Sequence, residues 1–214
     1  MNARDVALVV LAKAPCPGRV KTRLCPPCTP GDAAALAAAA LADTLATVAA
    51  TDARRRFLVL DGRPGRWVPP GFTVVPQEGH GLGERLGAAF AAVRGPAVLV
   101  GMDTPQLTPS LLGAAAASLA RPGRDAVLGL ACDGGYWCIG LREPDARVFA
   151  GVPMSTASTG DVQLARLREL GLVVELVPRL RDVDVFDDAL AVAGEIPGSR
   201  FASTLASIAG QWVT

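Results

Sequence analysis

The sequence predicts an α/β protein whose sheet is mainly parallel. Apolar runs of strand length, such as residues 6–11 and 125–131, alternate with longer segments in which apolar side chains recur at helical spacing. Turns rich in glycine and proline separate the two kinds of segment. A helix between two strands carries the chain back along the sheet, so the second strand runs in the same direction as the first. This alternation therefore favours parallel pairing.

The elements are expected in the following chain order. Strands are predicted at residues 6–11, 57–61 and 72–75, in the apolar run from residue 96 to Asp103, and at 125–131 and 172–177. Helices are predicted at 33–50, 82–93, 109–119 and 161–170, from about Phe186, and over 199–214. Residues 30–32 predict the turn and the N-cap of the first helix, with Asp32 as the cap. The last helix is expected to pack through Phe201, Leu205, Ile208 and Trp212.

The composition indicates a sizeable core and a basic site that is local. The 214 residues suit one α/β domain, or at most two small ones, and half of them are hydrophobic. The formal net charge of +1 argues against nucleic-acid binding through bulk charge. Residues 33–50 form the most apolar segment but contain Asp43, so no membrane span is expected. Five cysteines and no signal-peptide pattern favour the cytoplasm.

A basic, proline-stiffened loop follows the first predicted strand. Residues 13–24 carry four cations, which are Lys13, Arg19, Lys21 and Arg23. Arginine offers a fork that matches phosphate oxygens, lysine offers a compact point charge, and Gly18 lets the backbone approach a ligand. A solvated surface turn is the alternative, because exposed loops often carry such charges. The loop therefore favours a phosphate site.

Two acidic motifs predict a metal site. Asp103 ends an apolar run, and ligands of open α/β sheets bind outside the carboxyl ends of the strands. Asp182 and Asp184 would share one side of an extended segment, because side chains alternate there. Mg²⁺ takes one or two carboxylates together with substrate phosphates, which fits these acids. Capping of the next turn is the alternative for Asp103.

A glycine-rich turn precedes the helix predicted at 82–93. Gly79, Gly81 and Gly83 leave little side chain between the backbone and a docked ligand, and the helix N-terminus adds a partial positive charge. A flexible helix start explains the glycines equally well. The spacing does not match the dinucleotide-binding fingerprint.

Two further stretches predict contacts with a substrate. Residues 133–137 read Asp-Gly-Gly-Tyr-Trp, a tight turn that would present polar and stacking groups at a strand end. A plain hairpin with its aromatic side chains in the core is the alternative. The hydroxyl-rich residues 153–159 are most simply explained by capping of the following helix.

The cysteines and the histidine give weaker signals. Cys25 and Cys28 have the spacing of a zinc site and Cys16 lies nearby, but His80 is the only histidine and the remaining thiols belong to another motif. Reduced thiols are therefore favoured over zinc. Because His80 stands alone, no Ser/His/Asp or Cys/His set competes for the chemistry.

Read in order, the motifs resemble those of a bacterial family. The strings LAKAPCPGRVKTRL, GLGERL, GMDTPQL, DGGYW and DVDVFDD are similar to those of small GT-A-type proteins that are often labelled glycosyltransferases. That family belongs to the nucleotide-diphospho-sugar transferase superfamily, near the phospholactate and molybdenum-cofactor guanylyltransferases. The match runs from about Val6 to Leu190. It implies a Rossmann-like, three-layer α/β/α sandwich with a mixed sheet, and Mg²⁺ or Mn²⁺ at Asp103.

The resemblance also implies that residues 1–214 form one domain whose two halves bind different substrates. The N-terminal half would bind the nucleotide and the C-terminal half the acceptor. Catalysis would involve Lys21, Arg19 and Asp103, and nucleotide or phosphate binding would involve Ala12, Lys13, Gly18, Arg23, Gly79, Gly81, Gly83 and Arg85. Substrate contacts would come from Asp133, Gly134, Gly135, Tyr136, Ser155 and Thr156, and metal ligands from Asp103, Asp182 and Asp184. Two positions depart from the family pattern, since Gly81 replaces an acid and Met154 replaces a tryptophan.

The leading hypothesis is Mg²⁺-dependent nucleotidyl transfer from an NTP to a phosphorylated small-molecule acceptor, with release of pyrophosphate. Lys21 and Arg19 would stabilise the departing pyrophosphate while Asp103 and Asp184 hold the metal. Glycosyl transfer from a nucleotide-diphospho-sugar would use the same parts, and a nucleotide-binding module without catalysis is the third hypothesis. The expected partners are a nucleotide and a small acceptor, without nucleic acid or membrane. A homodimer is the one protein assembly considered.

Overall fold

Over residues 1–211, which the computed structural model describes, the chain forms one seven-stranded sheet. The strands are β1 (Ala7–Lys13), β2 (Arg56–Asp61), β3 (Thr73–Pro76), β4 (Ala97–Gly101), β5 (Ala126–Ala131), β6 (Tyr136–Leu141) and β7 (Val174–Leu180). Their order across the sheet is β3-β2-β1-β4-β6-β5-β7. All neighbouring pairs are parallel except those of β6, which runs antiparallel to β4 and to β5. The predicted mixed, mainly parallel sheet is confirmed.

Helices cover both faces of this sheet. They are α1 (Pro30–Ala50), α2 (Leu82–Val93), α3 (Pro109–Ala120), α4 (Thr159–Glu169), α5 (Phe186–Glu195) and α6 (Arg200–Gln211). Side chains alternate along β1, so Leu8 and Val10 join a core cluster with α1 and α3, whereas Val9 joins a second cluster with α2 and α4. The predicted three-layer α/β/α sandwich follows, and it explains why β1 is apolar without interruption.

Helix α1 is buried on two sides. Leu41 and Leu45 belong to the cluster against the sheet, whereas Leu36 and Ala40 belong to a third cluster with α5 and α6. A helix that packs on two sides must be apolar around most of its circumference, and small alanine side chains let its neighbours approach closely. The tail helix α6 contributes Phe201, Leu205 and Ile208 to this third cluster as predicted. Trp212, predicted to extend the same face, lies outside the described residues.

The composition of α1 corrects one expectation from the sequence. By length and composition this helix is apolar enough to cross a membrane, with a mean hydropathy of 1.7 over its most apolar window. The sequence-based expectation was that Asp43 excludes a membrane span, but this helix meets the length and composition of a span in spite of Asp43. More than half of that window, 56%, is buried inside the protein, and a buried core helix passes the same test, so this one helix is weak evidence for a membrane.

The start of α1 also differs from the prediction. The N-cap is Thr29, whose hydroxyl accepts a hydrogen bond from the Asp32 backbone N–H at 3.2 Å. The Asp32 carboxylate in turn accepts one from the Thr29 N–H at 2.9 Å. This reciprocal capping box places Asp32 at the third helical position, where its negative charge also favours the helix N-terminus.

The double-sided packing of α1 makes a prediction about side-chain volume. Ala37 is fully buried against the sheet, whereas Ala35, on the same helix, is exposed. Ala37→Leu should lower the free energy of unfolding by roughly 1–3 kcal/mol, because the added atoms have no space in a packed core. Ala35→Leu, the matched control, should change it by less than about 0.5 kcal/mol. Denaturant unfolding measures both variants, and equal effects would contradict the layer arrangement.

Candidate active site

A cavity of about 790 Å³ opens at the carboxyl ends of β1 and β4. These neighbouring strands are the point at which the chain order across the sheet reverses, since β2 lies on one side of β1 and β4 on the other. Such a switch point leaves a crevice that open α/β sheets use for ligands. The β5–β6 turn and the segment 182–184 after β7 form the opposite side of the cavity.

Most residues predicted for the site meet in this cavity. It is lined by Ala12, Lys13, Arg19, Lys21, Arg23, Arg85, Asp103, Asp133, Gly135, Tyr136, Ser155, Thr156, Asp182 and Asp184. The predicted residues that do not line it are Gly18, Gly79, Gly81, Gly83 and Gly134. The structure thus brings the basic loop and both acidic motifs together, while the individual roles of these residues stay predictions.

Lys21 connects three segments of the cavity wall. Its backbone is left-handed, with φ of 50°, and its side chain is only 9% exposed. The ammonium group lies 2.6 Å from Asp103 Oδ1 and also donates to the backbone carbonyl of Val183. The Val183 N–H donates to the Asp103 carbonyl at 2.9 Å. The basic loop, the end of β4 and the acidic segment after β7 are therefore joined by one charge-assisted network.

The other cations of the loop are more exposed. Arg23 pairs with Asp184 at 2.6 Å, and Arg19 lies 3.9 Å from Asp61 with 70% of its side chain exposed. Lys13 is exposed and forms no ion pair within residues 1–211. Lys13 and Arg19 are consequently the cations of this loop with the least compensated charge.

Asp182 is the most perturbed acid in the cavity. Burial and the nearby negative charges of Asp103 and Asp133 raise the pKa of its carboxyl to about 7, while Lys21 opposes the shift. One of its oxygens, Oδ1, is buried and has no hydrogen-bond partner. A buried carboxylate oxygen without a partner is costly, so this atom is suited to a cation or a donor that a ligand brings.

Three carboxylates of the cavity are candidate ligands for a divalent metal. Asp103, Asp182 and Asp184 line the cavity and offer hard oxygen atoms, and Oδ1 of Asp182 is buried without a hydrogen-bond partner. No group of three or more His, Cys, Asp or Glu side chains within residues 1–211 is close enough to hold a metal ion by itself. The residues therefore fit a metal such as Mg²⁺, which binds through one or two carboxylates and completes its shell with substrate phosphates.

The glycines of the turn before α2 do not line the cavity, whereas an arginine of α2 does. Gly79 is left-handed, and a Cβ there would lie 2.7 Å from Glu84 Cβ, so this glycine allows close local packing. Gly81 is the N-cap of α2 and makes no side-chain cap bond. Arg85, one turn into α2, reaches the cavity and lies 3.6 Å from Asp61.

Two further polar groups, which the sequence motifs did not indicate, lie at strand ends near the cavity. Gln77, which follows β3, donates to the Ala12 carbonyl at 2.7 Å and accepts from Arg85 at 3.4 Å. Asp61, the last residue of β2, faces both Arg19 and Arg85. Gln77 lines the cavity at a strand end, as Asp103 does, whereas Asp61 does not line it and pairs with two arginines that do.

The β5–β6 turn serves both the fold and the cavity. Trp137 is buried and donates to the Pro178 carbonyl at 3.0 Å, as the hairpin alternative predicts. Tyr136 lines the cavity, and its hydroxyl donates to Gln163 Oε1 at 3.3 Å. Burial raises the pKa of this phenol well above its ordinary value. Tyr136 therefore remains a neutral donor.

The hydroxyl-rich stretch 153–159 supplies the N-cap residue of α4, as expected, but its side chain makes no cap bond. This N-cap residue is Ser158. The Thr156 hydroxyl instead bonds the hydroxyls of Ser158 and Thr159, each at 3.2 Å. Ser155 and Thr156 are exposed and line the cavity, where their hydroxyls can reach a ligand.

The perturbed carboxyl of Asp182 predicts a dependence of stability on pH. It ionises near 3.8 in the unfolded chain and near 7 in the folded protein, so the stability that it contributes is lost as the pH rises between these values. In the presence of EDTA, Asp182→Asn should raise the free energy of unfolding at pH 8 by up to about 4 kcal/mol, and by much less near pH 4. Denaturant unfolding across this range measures the effect. A gain that is equal at both pH values, or as large in the surface variant Asp52→Asn, would refute the assignment.

Gly134 gives a second prediction. A Cβ at this position would lie 1.9 Å from the Ala157 carbonyl oxygen, and the backbone is left-handed with φ of 90°. Gly134→Ala should therefore destabilise the protein by more than about 3 kcal/mol. In Gly113→Ala the new methyl group meets no atom within 4 Å, and in a helix it should be neutral or stabilise by about 0.5–1 kcal/mol. Similar melting temperatures for the two variants would contradict the close packing of the turn.

Comparisons with solved structures support the fold. The structure resembles that of a provisionally named nucleotide-diphospho-sugar transferase from Desulfovibrio desulfuricans G20, with 26% identity, 97% of this chain and 95% of that chain covered, and a TM-score of 0.83. A cytidylyltransferase from Leptospira borgpetersenii is 12% identical, with 97% and 94% covered and a TM-score of 0.58. The 2-C-methyl-D-erythritol 4-phosphate cytidylyltransferase of Thermus thermophilus is 15% identical, with 88% and 97% covered and a TM-score of 0.55.

The family comparison agrees with these structures. No curated protein sequence matches the chain. The model of one bacterial family, described as "Uncharacterized protein conserved in bacteria (DUF2064)", matches residues 33–156. This match spans more than half of the chain, from the start of α1 through β4 and the β5–β6 turn to Thr156. The chain therefore belongs to the DUF2064 family, on a fold that it shares with nucleotide-diphospho-sugar transferases and cytidylyltransferases.

Proposed function

We propose that this protein is a transferase that acts on a nucleotide substrate, and that it transfers a nucleotidyl group from an NTP to a small acceptor with release of pyrophosphate. The similarity to structures named as transferases supports the general class. The more specific reaction rests on the charged groups that line the cavity, which are five cations and four carboxylates.

The arrangement of charge is the observation that carries the proposal. Lys13, Arg19 and Arg85 surround the side of the cavity at the ends of β1 and β2, and Asp133 and Asp182 lie on the other side. A triphosphate needs several cations to neutralise its oxygens, and an arginine fork matches two of them. The basic side would therefore bind the triphosphate, and the α-phosphorus would lie toward the acids.

The reaction is a substitution at phosphorus. An acceptor oxygen forms a bond to the α-phosphorus, and the bond between that phosphorus and the bridging oxygen breaks with its electron pair on pyrophosphate. Lys13 and Arg19 neutralise the charge that develops on this leaving group. Lys21 holds Asp103 and Val183 in position, and its predicted contact with pyrophosphate requires its ion pair with Asp103 to open.

A divalent metal would be held by Asp103 together with Asp184 or Asp182. When bound, it would neutralise phosphate charge and polarise the α-phosphoryl group. Around it, Asp182 would accept from the ligand through its unpaired oxygen, and the network of Lys21 would keep Asp103 turned toward the cavity.

Glycosyl transfer is the second candidate, and one comparison favours it. The Desulfovibrio desulfuricans structure, which carries a nucleotide-diphospho-sugar transferase name, matches 97% of this chain at 26% identity. The same cations would then stabilise a departing nucleoside diphosphate, and the acceptor would attack the sugar carbon. The released product separates the two reactions, since nucleotidyl transfer yields pyrophosphate and glycosyl transfer yields a nucleoside diphosphate.

The test pairs two arginines of matched exposure. Arg19 and Arg54 are 70% and 73% exposed, each lies near one acid, and only Arg19 lines the cavity. Thermal shift with the four NTPs and common sugar nucleotides, with and without Mg²⁺, first identifies the donor. Arg19→Met should then raise the Kd of that donor about tenfold without changing the melting temperature of the free protein. Arg54→Met should leave the Kd unchanged, and equal effects of the two variants would contradict the phosphate site.

Turnover is measured on the same proteins. Mg²⁺, the identified donor and a panel of acceptors should give pyrophosphate release, which Asp103→Asn should reduce by about 10²–10³-fold. Circular dichroism establishes that this variant is folded. Consumption of a sugar nucleotide without pyrophosphate release would select glycosyl transfer, and tight binding without any turnover would indicate a nucleotide-binding module.

A further inference from the structure

We propose that the acceptor is an uncharged or positively charged polyhydroxylated compound, and not a phosphorylated one. This inference rests on the proposed function, because it concerns the second substrate of the same cavity. It replaces the phosphorylated acceptor that the sequence analysis expected. The reason is the chemistry of the side of the cavity that the triphosphate leaves free.

The cations of the cavity all come from the first part of the chain. Lys13, Arg19, Lys21, Arg23 and Arg85 line it, whereas no lysine, arginine or histidine from residue 101 to residue 211 does so. Lys21 and Arg23 are bonded to the segment 182–184, so a triphosphate would be drawn to the side formed by Lys13, Arg19 and Arg85. The acceptor must then lie against the β5–β6 turn, residues 154–157 and the segment 182–184, which we call the acceptor side.

Two acids of the acceptor side form no ion pair within the described part of the chain. Among the acids of the cavity, Asp103 is paired with Lys21 and Asp184 with Arg23. Asp133 and Asp182 form no ion pair within residues 1–211, and Oδ1 of Asp182 has no hydrogen-bond partner. A phosphate placed here would be repelled by the carboxylate of Asp133, and by Asp182 when it is ionised, whereas a hydroxyl or ammonium group would donate to either acid.

Cations just outside the cavity are already engaged. Arg179 donates to the Ala131 carbonyl at 3.0 Å, and Arg181 pairs with Asp188 at 2.9 Å. Neither lines the cavity. A phosphorylated acceptor would therefore have to break existing contacts to obtain a cation.

The remaining groups of the acceptor side suit a polyol. The hydroxyls of Ser155 and Thr156 line the cavity, and hydroxyl groups both donate and accept. The ring of Tyr136 adds an apolar surface beside them. Sugars and related polyols present this combination of hydroxyl groups and C–H faces. In the reaction, one acceptor hydroxyl oxygen bonds to the α-phosphorus, pyrophosphate leaves with the bond's electron pair, and the hydroxyl proton passes to water.

The experiment compares three probes of one shape and different charge. Calorimetry measures binding of glucose, glucosamine and glucose 6-phosphate to the full chain with Mg²⁺ and saturating inorganic tripolyphosphate, which blocks the cationic side. Glucose and glucosamine should bind in the millimolar range, and glucose 6-phosphate at least roughly tenfold more weakly. Asp133→Lys should raise the preference for glucose 6-phosphate over glucose about tenfold, whereas Glu143→Lys, an exposed position outside the cavity, should not change it.

Two results would overturn the inference. One is binding of glucose 6-phosphate that is as tight as that of glucose, and the other is the absence of saturable binding by both glucose and glucosamine. The test also separates this inference from the proposed function. If tripolyphosphate does not bind, the nucleotide site is refuted, and the preference for acceptor charge is still read from the ratio of the two sugars in Asp133→Lys and in the wild type.

Discussion

The ion pair between Lys21 and Asp103 is the interaction on which the cavity depends. Lys21 is almost fully covered, and the removal of a charge from water is costly unless partners surround it. Its partners are a carboxylate at the end of β4 and a carbonyl in the segment after β7. Elements far apart in sequence are therefore held at fixed separation by one side chain. The loss of Lys21 would leave Asp103 without its cation, and the basic loop would lose its bond to the segment after β7, which would then be joined to Asp103 only by the Val183 N–H.

This pair also sets the charge that a ligand meets. Lys21 and Arg23 form ion pairs of 2.6 Å, whereas Arg19 and Arg85 share Asp61 at 3.9 and 3.6 Å, so the field at the basic side comes mainly from Lys13, Arg19 and Arg85. On the other side the unpaired acids remain uncompensated. Charges of opposite sign across one cavity orient a substrate that is anionic at only one end. The internal ion pairs thus convert a nearly neutral protein into one with a locally polarised site.

The sequence predicted those parts of the site that depend on chemistry at strand ends. Lys13, Asp103 and Asp184 were identified because cations and acids follow apolar runs, and parallel strands bring such ends together. The sequence did not predict that Gly79 and Gly134 allow close packing of the chain. A glycine that is needed for close packing cannot be distinguished in the sequence from one that faces a ligand. Nor did the sequence identify Gln77, whose role comes from the position of β3 beside β2, a long-range pairing that no local pattern encodes.

The antiparallel strand β6 explains why the two sides differ. It lies between β4 and β5, so the turn that precedes it is carried to the same edge of the sheet as the ends of the parallel strands. That turn, together with the segment after β7, supplies carboxylates and hydroxyls instead of a second basic loop. The half of the sheet from β3 to β4 is uniformly parallel and carries the cations. The reversal of one strand therefore brings Asp133 to the edge of the sheet at which Lys13 and Arg19 lie.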